Sequence, residues 1–271
     1  MTLPATDTLL LEPAGFVLHI TLNRPQVKNA MSLHMVQELM AVFDAIKDEP
    51  EVRAVVLRGA EHTFCAGGDI KDMANARAHA TQGDVGEDPF FELNRAFGRL
   101  ITQVNSAPQV VIAVLEGAVL GGGFGLACVS DVALTLASAK FGLPETGLGI
   151  TPAQIAPFVV QRIGLTQARR LALLGARFDG TEAVRLGIAH TLCEDSHVLN
   201  SQLDEVLQQI KRCAPRANRT TKQLLLNVGQ QPLESLLDDA AKNFSAAIRS
   251  AEGQEGAMAF IQKRLPGWAQ D

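Results

Sequence analysis

The chain reads as an α/β protein with largely parallel strands, on three observations. Apolar strand-like runs alternate with stretches of helical periodicity over the first 150 or so residues. Two of those runs end in glycine-rich turns, Ala66-Gly67-Gly68-Asp69 and Gly121-Gly122-Gly123. The remainder is almost wholly helical in pattern, so the expected division is a core over residues 1–199 and a helical region over 200–271.

Each element has a local cause. Val17-Leu18-His19-Ile20-Thr21-Leu22 reads as a strand stopped by Asn23-Arg24-Pro25. Ser32 is placed to cap a helix in which Met35, Val36, Leu39, Met40, Val42 and Phe43 recur at helical spacing. A second strand covers residues 52–58 and ends at Gly59. Residues 75–88 carry little periodicity and read as a mobile loop near a site mouth, with a helix from Phe90 to Val104 after them. The run Val110-Val111-Ile112-Ala113-Val114-Leu115 is apolar throughout, as a strand buried on both faces should be. Gly121–Gly123 opens a helix from Phe124 to about Ser130, and Val132-Ala133-Leu134-Thr135-Leu136 is the next strand. Asp179 and Glu182 stand at capping-box positions of a helix closed by Gly187. After Asn200 come three or four amphipathic helices, too thin a layer to bury a core alone.

Composition narrows the function. With 24 basic and 29 acidic residues the net charge is −5, which offers no general attraction to nucleic acid or an anionic membrane. No run reaches the ~18 apolar residues of a membrane span, and the first residues lack a basic segment followed by an apolar one, so the cytoplasm is the expected compartment. The cysteines Cys65, Cys128, Cys193 and Cys213 are scattered and read as buried thiols, without metal-ligand spacing. His19 and His190 read as structural, and no metal is expected.

The glycine turns carry the chemistry. Each follows a strand, and the second also opens a helix, so its amides face outward at the positive end of a helix dipole. Brought together, two such turns could hold a developing oxyanion, although close helix–strand packing explains a glycine triplet about as often. Residues 117–123 lack the spacing of a dinucleotide fingerprint, and no Gly-Lys-Ser/Thr occurs. Glu145, set among Leu143-Pro144 and Thr146-Gly147, is by itself more often a surface-loop residue, though a half-buried carboxylate with a raised pKa there would suit acid–base work.

Taken jointly, Asn23-Arg24-Pro25 with Asn29-Ala30, Phe64-Cys65-Ala66-Gly67-Gly68-Asp69-Ile70, Gly121-Gly122-Gly123, Phe141-Gly142-Leu143-Pro144-Glu145, and Phe260 with Lys263-Arg264 resemble the enoyl-CoA hydratase/isomerase (crotonase) family in order and spacing. The resemblance implies a ββα spiral core with a C-terminal helical trimerisation region, assembly as a homotrimer or a dimer of trimers, an acyl-CoA substrate, and no cofactor beyond the CoA of that substrate. It makes Glu145 the catalytic group and the amides of Gly68 and Gly122 the oxyanion hole. Lys28, Ala30, Ala66, Asp69, Ile70, Lys71 and Lys263 become CoA contacts, the last possibly from another subunit.

Two departures bear on the reaction. Family hydratases usually carry a second glutamate two residues after the glycine triplet, where this chain has Gly125. The stretch Ile150-Thr151-Pro152-Ala153-Gln154-Ile155-Ala156 replaces a glycine-rich run and is about one residue shorter. Residues 121–131 and 151–158 are similar to bacterial hydratases of isohexenylglutaconyl-CoA in acyclic terpene breakdown. The implied activity is hydration of a branched glutaconyl-type thioester. The alternatives are Δ3,Δ2-enoyl isomerisation by Glu145 as a single base, and non-catalytic acyl-CoA binding.

Overall fold

A computed structural model describes residues 2–69, 72 and 88–270 of the chain. The loop expected over residues 75–88 lies outside those residues except for Asp88, and Ile70 and Lys71 lie outside them too.

Among the described residues, nine strands fall into two sheets. In the larger, ordered β1-β2-β3-β4-β6-β9, the strands are β1 (Leu9–Ala14), β2 (Val17–Leu22), β3 (Ala54–Gly59), β4 (Val110–Leu115), β6 (Val132–Leu136) and β9 (Thr191–Cys193). β1 is antiparallel to β2, and every other neighbour pair is parallel. The smaller sheet is β5 (Ala118–Leu120), β7 (Lys140–Gly142) and β8 (Arg177–Asp179). The helices are α1 (Leu33–Ile46), α2 (Pro89–Ser106), α3 (Gly122–Val129), α4 (Ala156–Leu174), α5 (Gly180–Arg185), α6 (Ser196–Arg212), α7 (Pro215–Leu226), α8 (Leu233–Arg249) and α9 (Ala251–Ile261).

The two sheets are stacked by repetition. β4 leads into β5 and then α3; β6 leads into β7 and then, past Glu145, α4. β3 leads to Cys65, which bridges in parallel to Val119 of β5 and so extends the small sheet by one residue. Each turn of this spiral is a large-sheet strand, a small-sheet strand and a helix, the expected ββα core.

The period of two along the strands explains the layers. Val55, Leu57, Val111, Ala113 and Leu115 face one apolar cluster with the inner faces of α1 to α4, while Ala54, Val56, Ile112, Val114 and Leu134 face another, covered by Leu199, Leu203 and Ile210 of α6. Residue 200, where the helical region is expected to begin, therefore lies inside the helix that covers the back of the sheet. Ser32 accepts from Met35 N at 3.2 Å and Asp179 from Glu182 N at 3.0 Å, the expected caps.

The wholly helical reading after residue 150 needs correction. β8 and β9 are strands of three residues each, too short to display a periodicity of their own. Cys213 is exposed, against the expectation of buried thiols, while the other three cysteines are buried. His190 is structural as read: its Nδ1 accepts from Ala133 N at 2.9 Å, and burial lowers its pKa.

Arg53 ties the last part of the chain to the sheet. Its guanidinium donates to the carbonyls of Ile210, Lys211, Cys213 and Trp268 at 2.7–2.9 Å and lies over the Phe16 ring. This one side chain serves four carbonyls, so Arg53→Met is expected to cost about 1.5–3 kcal/mol, the range for hydrogen bonds to a charged group. Thermal unfolding would register this as a Tm several degrees lower, and an unchanged Tm would remove the assignment.

Beyond α6 little is buried. α8 and α9 bury only Leu236 and Ala259, whereas Leu237, Phe244, Ile248, Phe260 and Ile261 are more than half exposed.

Candidate active site

The loop carrying Gly68 is fixed from both sides. Phe64 N and Cys65 N donate to Glu116 O and Ala118 O at 2.8 Å, so the loop follows the edge of β5. On the opposite side Met31 N donates to Gly67 O at 2.8 Å and Asp69 N to Met31 O at 3.0 Å. In such a parallel bridge the bonds come from the residues flanking Gly68, leaving its own N–H directed elsewhere.

The turn before α1 supplies the clamp. The buried Asn29 donates from Nδ2 to Ala60 O at 3.0 Å and Thr63 O at 2.6 Å, while its Oδ1 accepts from Arg24 N. Arg24 spans the gap, donating to Ala30 O at 2.6 Å and pairing with Asp69 at 2.7 Å. Sequence reasoning read Arg24 in a strand-stopping turn and Asn29 in a turn beside the CoA, but gave neither side chain a partner. The signal was there, since a buried asparagine next to backbone turns is a polar group that must be satisfied.

Gly122 is the first residue of α3. Gly121 before it adopts φ 50° and ψ −117°, a conformation that a side chain would strain. Neither Gly68 N nor Gly122 N has an acceptor among the described residues. Behind α3, Phe124 meets Phe141 and Phe178 edge-to-face, holding the small sheet against the helix.

Glu145 starts a single 3-10 turn, Glu145–Leu148, closed by Gly149 at φ 74°. Its backbone carbonyl accepts from Gly149 N and from Ile150 N. The side chain points back toward α3: a Cβ on Gly121 would lie 3.0 Å from Glu145 Oε1. Oε2 is buried and unpartnered among the described residues. Burial pushes the carboxyl pKa up, because no fixed charge nearby offsets its lost hydration.

Gly68, Asp69, Gly122 and Glu145 line one cavity of about 490 Å³. Its other walls come from Met31, from α2 with Phe97 among others, and from the stretch 150–155. α2 was read as a helix from sequence, but nothing in its periodicity distinguished a cavity face from a core face.

The remaining candidates divide. Ala66 N donates to Lys28 O at 3.0 Å and Ala30 takes the Arg24 bond, so Lys28, Ala30 and Ala66 form one surface beside the cavity without lining it. Lys263, just after α9, does not line it either. Ile70 and Lys71 are outside the described residues. Asp7, His34 and Glu38 do come within metal-ligand reach of one another, a set the sequence reading overlooked; they stand apart from the cavity, with Glu38 accepting from Asp7 N and Thr8 N.

At Gly125 the space is taken. A Cβ there would lie 2.4 Å from Ile155 Cγ2 and 2.9 Å from Ile101 Cδ1. The 150–156 stretch thus delivers an apolar side chain to the place where a carboxylate at position 125 would start.

A spiral of ββα turns closing on one cavity puts the chain among the crotonase-like α/β proteins. Residues 12–271 match the family model described as enoyl-CoA hydratase/isomerase. The chain belongs to the enoyl-CoA hydratase/isomerase family, whose members act on CoA thioesters.

Among solved structures, Pseudomonas aeruginosa AtuE is 62% identical with TM-score 0.94, covering 97% of this chain and 100% of that one. An enoyl-CoA hydratase/isomerase from Marinobacter aquaeolei is 59% identical with TM-score 0.93, covering 97% and 99%. A short-chain-enoyl-CoA hydratase of Clostridium acetobutylicum is 31% identical over 262 residues, 95% of this chain and 96% of its own. No helix among the described residues is long and apolar enough to cross a membrane.

Proposed function

We propose that the protein hydrates an α,β-unsaturated, branched glutaconyl-type CoA thioester similar to isohexenylglutaconyl-CoA. The observation that carries this reading is the meeting of two acceptor-free glycine amides with one unpartnered carboxylate on a single cavity. The thioester oxygen lies between Gly68 N and Gly122 N, where the enolate charge develops, so the donors favour the transition state over the ground state. Glu145 takes a proton from water as the hydroxyl adds to C3, then returns that proton to C2. The CoA part runs over Lys28, Ala30, Ala66 and Asp69 toward Ile70 and Lys71, with Lys263 supplied by a neighbouring subunit of a homotrimer or dimer of trimers. No further cofactor or metal is required, and the cytoplasm is the compartment.

One observation favours a second reading. Ile155 occupies the space beside Gly125, so one carboxylate must do all the proton transfer. A single base moving a proton between C4 and C2 gives Δ3,Δ2 isomerisation instead. Incubation with 2-enoyl-, 3-enoyl- and glutaconyl-type CoA esters in heavy-oxygen water separates the two. Label in the product is expected; a shifted double bond without label would replace hydration by isomerisation.

A further inference from the structure

Gly98 lies in the middle of α2, where glycine costs about 1 kcal/mol relative to alanine in helix propensity. The reason for it is on its surface. A Cβ there would lie 1.9 Å from Gln154 Oε1 and 2.5 Å from Arg95 Nη1. The glycine opens a notch in the helix into which the Gln154 amide is set, beside the cavity that Gln154 and Asn94 both line.

The direction of every hydrogen bond in this notch follows from Arg95. A guanidinium can only donate, so the atom of Gln154 facing it at 3.2 Å is the oxygen. The Gln154 nitrogen therefore faces Asn94, 2.9 Å away, and the Asn94 atom receiving it is Oδ1. Both acceptor oxygens of the pair are thereby in use. What the corner retains is donors: the second hydrogen on Gln154 Nε2 and both on Asn94 Nδ2, with no acceptor among the described residues. Arg95 itself has no carboxylate within ion-pair distance among those residues.

The carboxylates on the same cavity are engaged elsewhere. Asp69 is paired with Arg24, and Asp88 caps α2 by accepting from Phe90 N at 2.9 Å. The donors stand beside Phe90, Phe91 and Phe97 of the same cavity, and a carboxylate there would accept charge-assisted hydrogen bonds from them.

We infer that the Asn94–Gln154 amide pair, polarised by Arg95 and seated by Gly98, recognises a carboxylate borne on the acyl chain and sets the preference between acidic and neutral thioesters. The inference rests on the thioester reading of the cavity.

The test is the binding of glutaryl-CoA and pentanoyl-CoA, equal in chain length and differing in the terminal carboxylate, to the full chain by calorimetry. The parent is expected to favour glutaryl-CoA about tenfold or more, the worth of a charged hydrogen bond. Gln154→Glu keeps the shape and the Arg95 bond, but Asn94 must then turn Nδ2 to the new carboxylate and expose Oδ1. The donors are lost, and the preference should fall to unity or reverse. Asn94→Leu, at an exposed position, should also reduce the ratio and is the check should the first variant fold poorly. A parent without preference, or a ratio unchanged in both variants, overturns the inference while leaving the thioester reading intact. Binding of neither ester would sink both together.

Discussion

Glu145→Gln is expected to lower turnover by about 10²–10⁴-fold while making the protein more stable at neutral pH. The loss follows from removing the carboxyl group proposed to move the proton, and the range is that of a positioned proton-transfer residue. The gain follows from its burial. The folded state holds the Glu145 proton more tightly than the unfolded chain does, since burial raises its pKa. The stability this contributes is fully present below the unfolded pKa and disappears as pH rises through the folded one. Above its folded-state pKa the native protein therefore carries a desolvated charge with an unpartnered oxygen, which the neutral amide replaces. Melting curves from pH 4 to 8 should show the variant ahead at the alkaline end and the two converging at the acid end. The parent's kcat/KM should fall as pH drops through the same raised pKa, because the active form is the carboxylate. Unchanged turnover in the variant would end the catalytic role of Glu145, and a uniform Tm offset at all pH values would end the electrostatic account.

Gly125→Glu, which restores the second carboxylate of family hydratases, is expected to damage the protein. Its Cβ alone would sit 2.4 Å from Ile155 Cγ2, inside any real contact distance, and Ile101 blocks the other side. Overpacking of this kind costs about 1–3 kcal/mol, and the carboxylate adds its own burial penalty. We expect a lower Tm and no gain on short straight-chain enoyl-CoA. Combining it with Ile155→Ala should recover part of the lost stability, because the nearest obstruction is that side chain. A clear gain in hydration by the single variant would contradict the packing argument.

The strands at 17–22, 110–115 and 132–136 were legible to the residue because an apolar run of five or six positions bounded by turn residues has few other readings. β5, β7, β8 and β9 were not: at three residues each, they are made by pairing across the spiral and carry no local pattern. β1 includes Glu12 and Pro13 at the sheet edge, where exposure removes the alternation that reveals a strand. At the site, Gly68, Gly122 and Glu145 were identifiable from their motifs, and they do share one cavity. What fills the space by Gly125 was not, since Ile155 is 30 positions away and only the three-dimensional path of residues 150–156 brings it there. The amide corner was hidden for the same reason: a mid-helix glycine reveals its purpose only when its neighbour is seen.

The two faces of the large sheet also become covered at different times in the life of the chain. The strands through Leu136 and the helices that pack on one side are encoded in the first two thirds of the sequence. The other side, with Val17, Ala54, Val56, Ile112 and Val114, receives its cover only from Leu199, Leu203 and Ile210. A ribosome-bound chain shorter than this therefore presents a ready-made apolar sheet face to its surroundings, the kind of surface that invites aggregation or chaperone capture. Arg53 waits longer still, because one of its four carbonyl partners belongs to Trp268. The Arg53 clamp thus becomes available only after the sheet face has its cover.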